Sequence, residues 1–383
     1  MKYLIIEDRE EKRDAVKAEI FLLDKDAVFD TPDNLDDARV QILTKAYDLI
    51  VFDIFLPVRK GEAEQDLSED LIRVFAQSKN YHCESIALTL YADDDQTRTQ
   101  FNDNGITVVS YDDESRWKSS LKQKIKRLAV KPRSDFLIFC ALSKERAAFQ
   151  MTDAVIGQMS TIEGLNCQEV LIGDFKGFCI TPPRMGLVNM AITAAKAIEV
   201  FQPKLIGMSG ICAGVEGETK FLDIVVGDIC WEYQTGKFKD NRFFQEPYQA
   251  PVSNSLRVHL EQLVEQHEIL AILKSGLFDS ELKDSSMRLG AISSGSAVIA
   301  DASKMQEIGM QHRKWAALEM EMYALYEAAS QSLCRPMFFG AKSVVDMGNA
   351  SKGDALHNSA CVLSARFVVE VMKRFLPEFA RAA

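Results

Sequence analysis

Short apolar runs recur along this chain, and several of them end directly in an acidic residue. YLII (3–6) is followed by Glu7 and Asp8, and DLIVF (48–52) by Asp53, while SIALTL (85–90) and ITVVS (106–110) continue the series. Amphipathic stretches such as EKRDAVKAEIFLL lie between them. Strand-length apolar runs alternating with helical periodicity predict a parallel sheet covered by helices, with ligands bound beyond the carboxyl ends of the strands. A second series opens at FLIFCAL (136–142) and continues through KLIGMSGICAGVEG (204–217), LDIVVGDI (222–229), LGAISSGSAVIA (289–300) and PMFFGAKSVVDMGNASKGD (336–354). Between the two series, helical spacing at Trp117, Leu121, Ile125 and Leu128 predicts a helix that Pro132, in AVKPRSD (129–135), brings to an end. The chain therefore reads as two α/β domains, residues 1–130 and 135–383, and its 383 residues suit two cores better than one.

Composition narrows the function. With 47% hydrophobic and 26% charged residues the chain is globular, and a net charge of −11 disfavours a nucleic-acid binder, which needs clustered Lys and Arg. The opening MKYLIIEDRE is too short in apolar residues for a signal-peptide core, and no run approaches a membrane span. A cytoplasmic protein without membrane partners is expected. The eight cysteines, at 83, 140, 167, 179, 212, 230, 334 and 361, show no CxxC spacing or Cys/His cluster. They are expected to be reduced thiols rather than zinc ligands.

Acids gathered at a sheet edge repel one another unless a hard cation such as Mg²⁺ joins them. The set Glu7 and Asp8, Asp53, Pro57, Gly61 and Thr89 resembles the response-regulator receiver family. The resemblance implies a doubly wound, flavodoxin-like domain in which Glu7, Asp8 and Asp53 hold Mg²⁺. Asp53 would accept a phosphoryl group from a cognate histidine kinase, and Thr89 would turn toward it. One position departs from the pattern: the lysine expected shortly after the fifth strand is Tyr111 or Asp112 in GITVVSYDDES.

In the second domain, Gly207, Gly210 and Gly214 let the backbone after a strand approach a ligand closely, and Asp346 follows the apolar run AKSVV. WAALEMEMYALYEAAS (315–330) reads as a buried helix carrying Glu319 and Glu321. Residues two apart on a helix point to different sides, so only one of these two would face a ligand. A vicinal diol, as on a ribose, would supply donors to one buried carboxylate.

FCALSKE, MGLVNMA, SGICAG, DIVVGD, SSGSAVI, ALEMEM and SVVD, in this order, resemble the nucleoside phosphorylase superfamily and, within it, the purine nucleosidases similar to methylthioadenosine/S-adenosylhomocysteine nucleosidase. The resemblance implies a nucleoside phosphorylase-like α/β domain that needs no cofactor for its reaction. Glu145 would activate water, Met320 would lie beneath the sugar, Glu321 would bind the ribose hydroxyls and Asp346 would support protonation of purine N7. Ser209 and Gly210 fall in the substrate loop. Val298 stands where an aromatic partner of the base is common. Glu145 favours water over phosphate, while Arg184 could serve an attacking phosphate or a phosphate on the substrate's 5′ carbon. Arg313, Lys342 and Lys352 could extend a 5′-phosphate site. Relatives of this kind form homo-oligomers. A receiver joined to a purine nucleosidase resembles the effector of Detocs-type antiphage two-component systems, which implies signalling-controlled cleavage of ATP or dATP to adenine and the sugar 5′-triphosphate. A phosphorylase and a non-catalytic nucleotide sensor are the alternatives.

Overall fold

The computed structural model describes residues 1–81, 83–90, 95–130, 133–240, 242–246, 248–349 and 355–381. It divides into two compact units, Met1–Lys131 and Pro132–Ala383.

The main sheet of the first unit is built by alternating strand and helix: β1 (Lys2–Ile6), α1 (Glu10–Leu23), β2 (Val28–Asp30), α2 (Leu35–Thr44), β3 (Leu49–Phe52), α3 (Ser68–Ala76), β4 (Glu84–Thr89), α4 (Asp95–Asp103), β5 (Thr107–Ser110) and α5 (Glu114–Val130). In this five-stranded sheet every pair is parallel, in the order β2-β1-β3-β4-β5, and Phe55–Leu56 and Gln65–Asp66 form a separate short antiparallel pair. Chain direction across this sheet reverses between β1 and β3, which opens a crevice at their carboxyl ends. Glu7 and Asp53 follow those two ends. β3 is buried on both faces, as its unbroken LIVF demands. β2 escaped the sequence reading because it is a three-residue edge strand whose residues are at most partly buried. Trp117, Leu121, Ile125 and Leu128 of α5 are buried against β1, β3 and β4, as their spacing predicts.

The second unit is built from β6 (Phe136–Cys140), α6 (Ser143–Ala147), β7 (Val155–Ile162), β8 (Leu165–Ile172), β9 (Phe175–Thr181), α7 (Leu187–Phe201), β10 (Leu205–Gly214), β11 (Ile224–Glu232), α8 (Asn254–Val264), α9 (His267–Lys274), β12 (Met287–Ser294), α10 (Ala302–Gly309), β13 (Trp315–Glu319), α11 (Met322–Gln331), β14 (Met337–Asp346) and α12 (His357–Arg381). Five of its strands close on themselves. β10 pairs with β14, β14 with β11, β11 with β12, β12 with β13, and β13 returns to β10. Closure removes the free edges and gathers several strand ends at one mouth. β6, β9, β8 and β7 extend the sheet outward from β10. Ala360, Leu363, Phe367 and Val371 of α12 lie in the apolar core against this sheet.

The segment 315–330 corrects the sequence expectation. Trp315–Glu319 is a strand, and the helix begins only at Met322. Ala, Leu, Glu and Met favour helix locally, but all five residues of β13 are buried within the ring, and pairing with β12 and β10 overrides propensity. Among the described residues no helix is long and apolar enough to cross a membrane. All eight cysteines are free thiols and six are buried.

Candidate active site

A cavity of about 340 Å³ opens at the mouth of the closed sheet, lined by Glu145, Glu319, Glu321 and Asp346 together with Met320 and Val298. Each carboxylate arrives from a different local device. Glu145 is the third residue of α6 and is 1% exposed. One of its oxygens accepts the Leu142 N–H at 2.9 Å, closing the start of its own helix, and the other accepts the Ile211 N–H at 3.0 Å. Gly210 is required here because a Cβ at that position would overlap both the Glu145 carboxylate and the Lys342 ammonium.

Glu319 ends β13 and caps α11: its carboxylate accepts the N–H groups of Glu321 at 2.9 Å and Met322 at 2.8 Å, and also the Ser294 hydroxyl. Glu321 accepts the Gly186 N–H at 2.9 Å. Gly186 holds φ at +105°, a conformation a side chain would strain, and so turns its amide toward Glu321. Both glutamates line the cavity, so the expectation that a helix would separate them fails with the helix itself. The strand-to-helix turn allows the convergence.

Lys342 on β14 is 1% exposed, with its ammonium 3.5 Å from Glu319 and 3.9 Å from Glu321. Burial acts to lower the pKa of this ammonium, but the carboxylates of Glu145, Glu319 and Glu321 outweigh it and hold the lysine above its ordinary range. Burial pushes Glu321 up to about 7 against the pull of Lys342. Asp346 ends β14 across the cavity, is 6% exposed, and accepts the Gly348 N–H at 2.8 Å. Leu318, Ile211, Val298 and Val345 supply apolar wall.

Several expected contacts fall elsewhere. Ser209 is fully buried behind the cavity, where its hydroxyl meets that of Ser364 at 2.8 Å, and Gly210 donates its N–H to the same Ser364 oxygen at 2.9 Å. They support the site from behind rather than line it. Lys342, expected among 5′-phosphate ligands, is the buried counter-charge of the glutamates. Arg313 lines other cavities. Arg184 is exposed on the loop just before Met185, which does line the cavity. Lys352 lies outside the described residues. Among the described residues the basic side chains that line the cavity are Lys144 and His357, which contact one another.

Residues 138–380 match the family model described as the phosphorylase superfamily. The chain belongs to the phosphorylase superfamily. The uncharacterised protein y4jS of Sinorhizobium fredii is 25% identical over 364 residues, covering 86% of this chain and 88% of its own. The ATP nucleosidase Cap17 of Escherichia coli (strain KTE188) is 21% identical over 259 residues, covering 62% of this chain and 50% of its own length. The S-adenosylhomocysteine nucleosidase of Streptococcus pyogenes, solved with 5-methylthiotubericidin, has the same fold at a TM-score of 0.51 and 18% identity. That likeness covers 63% of this chain and 98% of the nucleosidase.

The first unit lies outside the superfamily match. At its crevice Asp53 is 7% exposed, and its Oδ1 accepts the N–H groups of Ile54 at 2.6 Å and Phe55 at 3.3 Å. Glu7, Asp8 and Asp53, the acids expected to hold Mg²⁺, follow the ends of β1 and β3. Among the described residues no three His, Cys, Asp or Glu side chains form a metal cluster. Instead the ammonium of Lys12, 1% exposed on α1, sits between two of the acids, 2.6 Å from Glu7 and in contact with Asp53. Asp8 is different: its Oδ1 is buried with no hydrogen-bond partner. The charge of Asp8 pushes the carboxyl of Glu64 above its usual range. The Asp8 side of the pocket therefore suits a divalent cation, while the Glu7 side already holds a cation. Thr89 is fully buried at the end of β4. Sequence reasoning missed Lys12 altogether, although its place in the helix directly after the acidic pair was readable.

Proposed function

We propose that the second unit is a purine nucleosidase that hydrolyses the N-glycosidic bond of an adenine nucleotide, ATP or dATP. The observation that carries this reading is the convergence of Glu145, Glu321 and Asp346 on one cavity over Met320. Glycosidic cleavage builds positive charge on the sugar and negative charge on the base. Three glutamates beside one lysine leave an excess of negative charge where the sugar would become cationic. In the proposed reaction Glu145 takes a proton from water as its oxygen bonds to the anomeric carbon. The bond to purine N9 breaks, its electron pair stays on the base, and Asp346 delivers a proton to N7. Glu321 accepts hydrogen bonds from the ribose hydroxyls, and Glu319 positions Glu321 by holding its backbone N–H.

Two observations support a phosphorylated substrate: Lys144 and His357 line the cavity, and a relative is named an ATP nucleosidase. Hydrolysis is preferred to phosphorolysis because, among the described residues, no arginine lines the cavity. In this reading the first unit is a receiver, and phosphorylation of Asp53 by a histidine kinase releases nucleotide destruction in antiphage defence. The parallel 2-1-3-4-5 sheet and the acids at its crevice support it. Mg²⁺ would be held by Asp8 and Asp53 and would offset charge during phosphoryl transfer. The protein would act in the cytoplasm, as a homo-oligomer by analogy with related nucleosidases.

The test is to incubate the purified chain with ATP, AMP, adenosine, methylthioadenosine and inosine, with and without acetyl phosphate and Mg²⁺, and to separate the products. Adenine from ATP, in larger amount with acetyl phosphate, is the expected result. Absence of free base from all five would reject the enzymatic reading, and dependence on added inorganic phosphate would replace it with phosphorolysis.

A further inference from the structure

We infer that Lys12 supplies, from the first helix, the ammonium that receivers otherwise place after the fifth strand, so that the pocket around Asp53 is complete despite Tyr111. This inference rests on reading the first unit as a receiver. The position after β5 has no lysine: Ser110 ends the strand and Tyr111 follows. Lys12 reaches Asp53 from α1, whose Val16 and Ile20 share one apolar cluster with Trp117 and Leu121 of α5. Its Nζ lies over the Tyr111 ring, 5.5 Å from the centroid, and Tyr111 is in turn stacked on Trp117 of α5 at 5.8 Å. A cation over an aromatic face is attracted by the ring's negative quadrupole, so the tyrosine acts as a seat for the lysine that has moved.

The partners of the ammonium fit this role. Lys12 touches Oδ2 of Asp53, while Oδ1 is engaged by the backbone N–H groups of Ile54 and Phe55. It also holds Glu7, whose other oxygen accepts the Arg9 N–H at 3.0 Å. A buried lysine on α1 would be costly without these carboxylates. Asp8, by contrast, is left to a divalent cation, with its Oδ1 buried and unpartnered. The two positive charges that an acyl phosphate at Asp53 requires are thus divided between Lys12 on one side and the cation at Asp8 on the other. With acetyl phosphate as donor, an Asp53 oxygen bonds to phosphorus, the donor's P–O bond breaks, and acetate leaves with the electron pair. Lys12 then faces the new phosphoryl oxygens.

The experiment uses the full chain and beryllofluoride, a phosphoryl mimic, at fixed Mg²⁺. Bound fluoride is read by ¹⁹F NMR, and folding by circular dichroism. Wild type should bind, and Asp53→Asn should not. Lys12→Met should weaken binding at least tenfold, Lys12→Arg should weaken it less, and the double variant K12M/Y111K should recover most of the loss by restoring a lysine after β5. Recovery in the double variant also separates loss of charge from loss of fold. Lys12→Met binding as tightly as wild type, or more tightly, would overturn the inference, because Lys12 would then be inert or a plug on the cation site. Failure of the double variant to recover would overturn it as well. No binding by wild type would instead reject the receiver reading, and this inference with it.

Discussion

Each unit of this protein buries one lysine to 1% exposure among carboxylates, yet the two arrangements differ in what holds them. Around Lys342 the acids are fixed by the backbone. Glu145 accepts two N–H groups, Glu319 two, and Glu321 one, and the lysine itself is carried on a strand of the closed ring. Around Lys12 the lysine projects from a helix onto only two acids, and the neighbouring Asp8 keeps an unpartnered oxygen. The first arrangement is preorganised and suits chemistry, which gains most from groups that do not have to move. The second has an open valence, and suits the pocket proposed to gain and lose a phosphoryl group.

The sharpest way to break this contrast is to remove the reacting groups. Glu145→Gln or Asp346→Asn should lower kcat by about 100- to 10,000-fold while thermal unfolding stays close to wild type. Asp53→Asn should abolish only the response to acetyl phosphate. Equal turnover in wild type and either second-unit variant would remove the chemical half of the comparison. Next in size, Lys342→Met leaves three buried glutamates without their counter-charge and should destabilise the second unit by about 3–5 kcal/mol, read by denaturant unfolding. Lys12→Met strands two carboxylates rather than three and should cost less. A larger loss at Lys12 would reverse the contrast.

A smaller effect concerns pH. The Glu321 carboxyl, raised to about 7 by burial, is protonated below that pH in the free enzyme and cannot then accept from both ribose hydroxyls. The profile of kcat/KM should therefore rise toward neutrality with an apparent pKa near that value. The stability contribution runs the other way. A carboxyl with a folded pKa above its ordinary value favours the fold below that ordinary value, and the contribution is lost as pH rises through about 7. Urea unfolding of Glu321→Gln should lack this dependence. The smallest effect is expected at the cavity's basic lining: Lys144→Ala should raise KM for ATP by roughly tenfold, the scale of one charged hydrogen bond, and leave adenosine unaffected. Equal changes for both substrates would remove Lys144 from phosphate recognition.

Much of this was legible before any coordinates. The βα alternation, the boundary near Pro132 and the acids at strand ends all follow from local pattern, because a strand buried on both faces must be apolar to its end. What lay beyond the sequence depended on closure of the second sheet. Trp315–Glu319 has helix-forming residues and becomes a strand only because β10 and β12 flank it. That change turns Glu319 and Glu321 from opposed residues into neighbours. Lys342 was expected among 5′-phosphate ligands because the three glutamates it balances are not its neighbours in sequence. Lys12 was hidden for a related reason: among the charges of EDREEKR, nothing local marks which side chain turns inward.

The central claim, that this site transfers a nucleotide's sugar to water, is tested most directly by running the reaction on ATP in ¹⁸O-labelled water and weighing the sugar product. The account predicts adenine together with ribose 5′-triphosphate carrying one ¹⁸O at the anomeric carbon. Unlabelled sugar, a sugar 1-phosphate, or no cleavage with or without acetyl phosphate would contradict it.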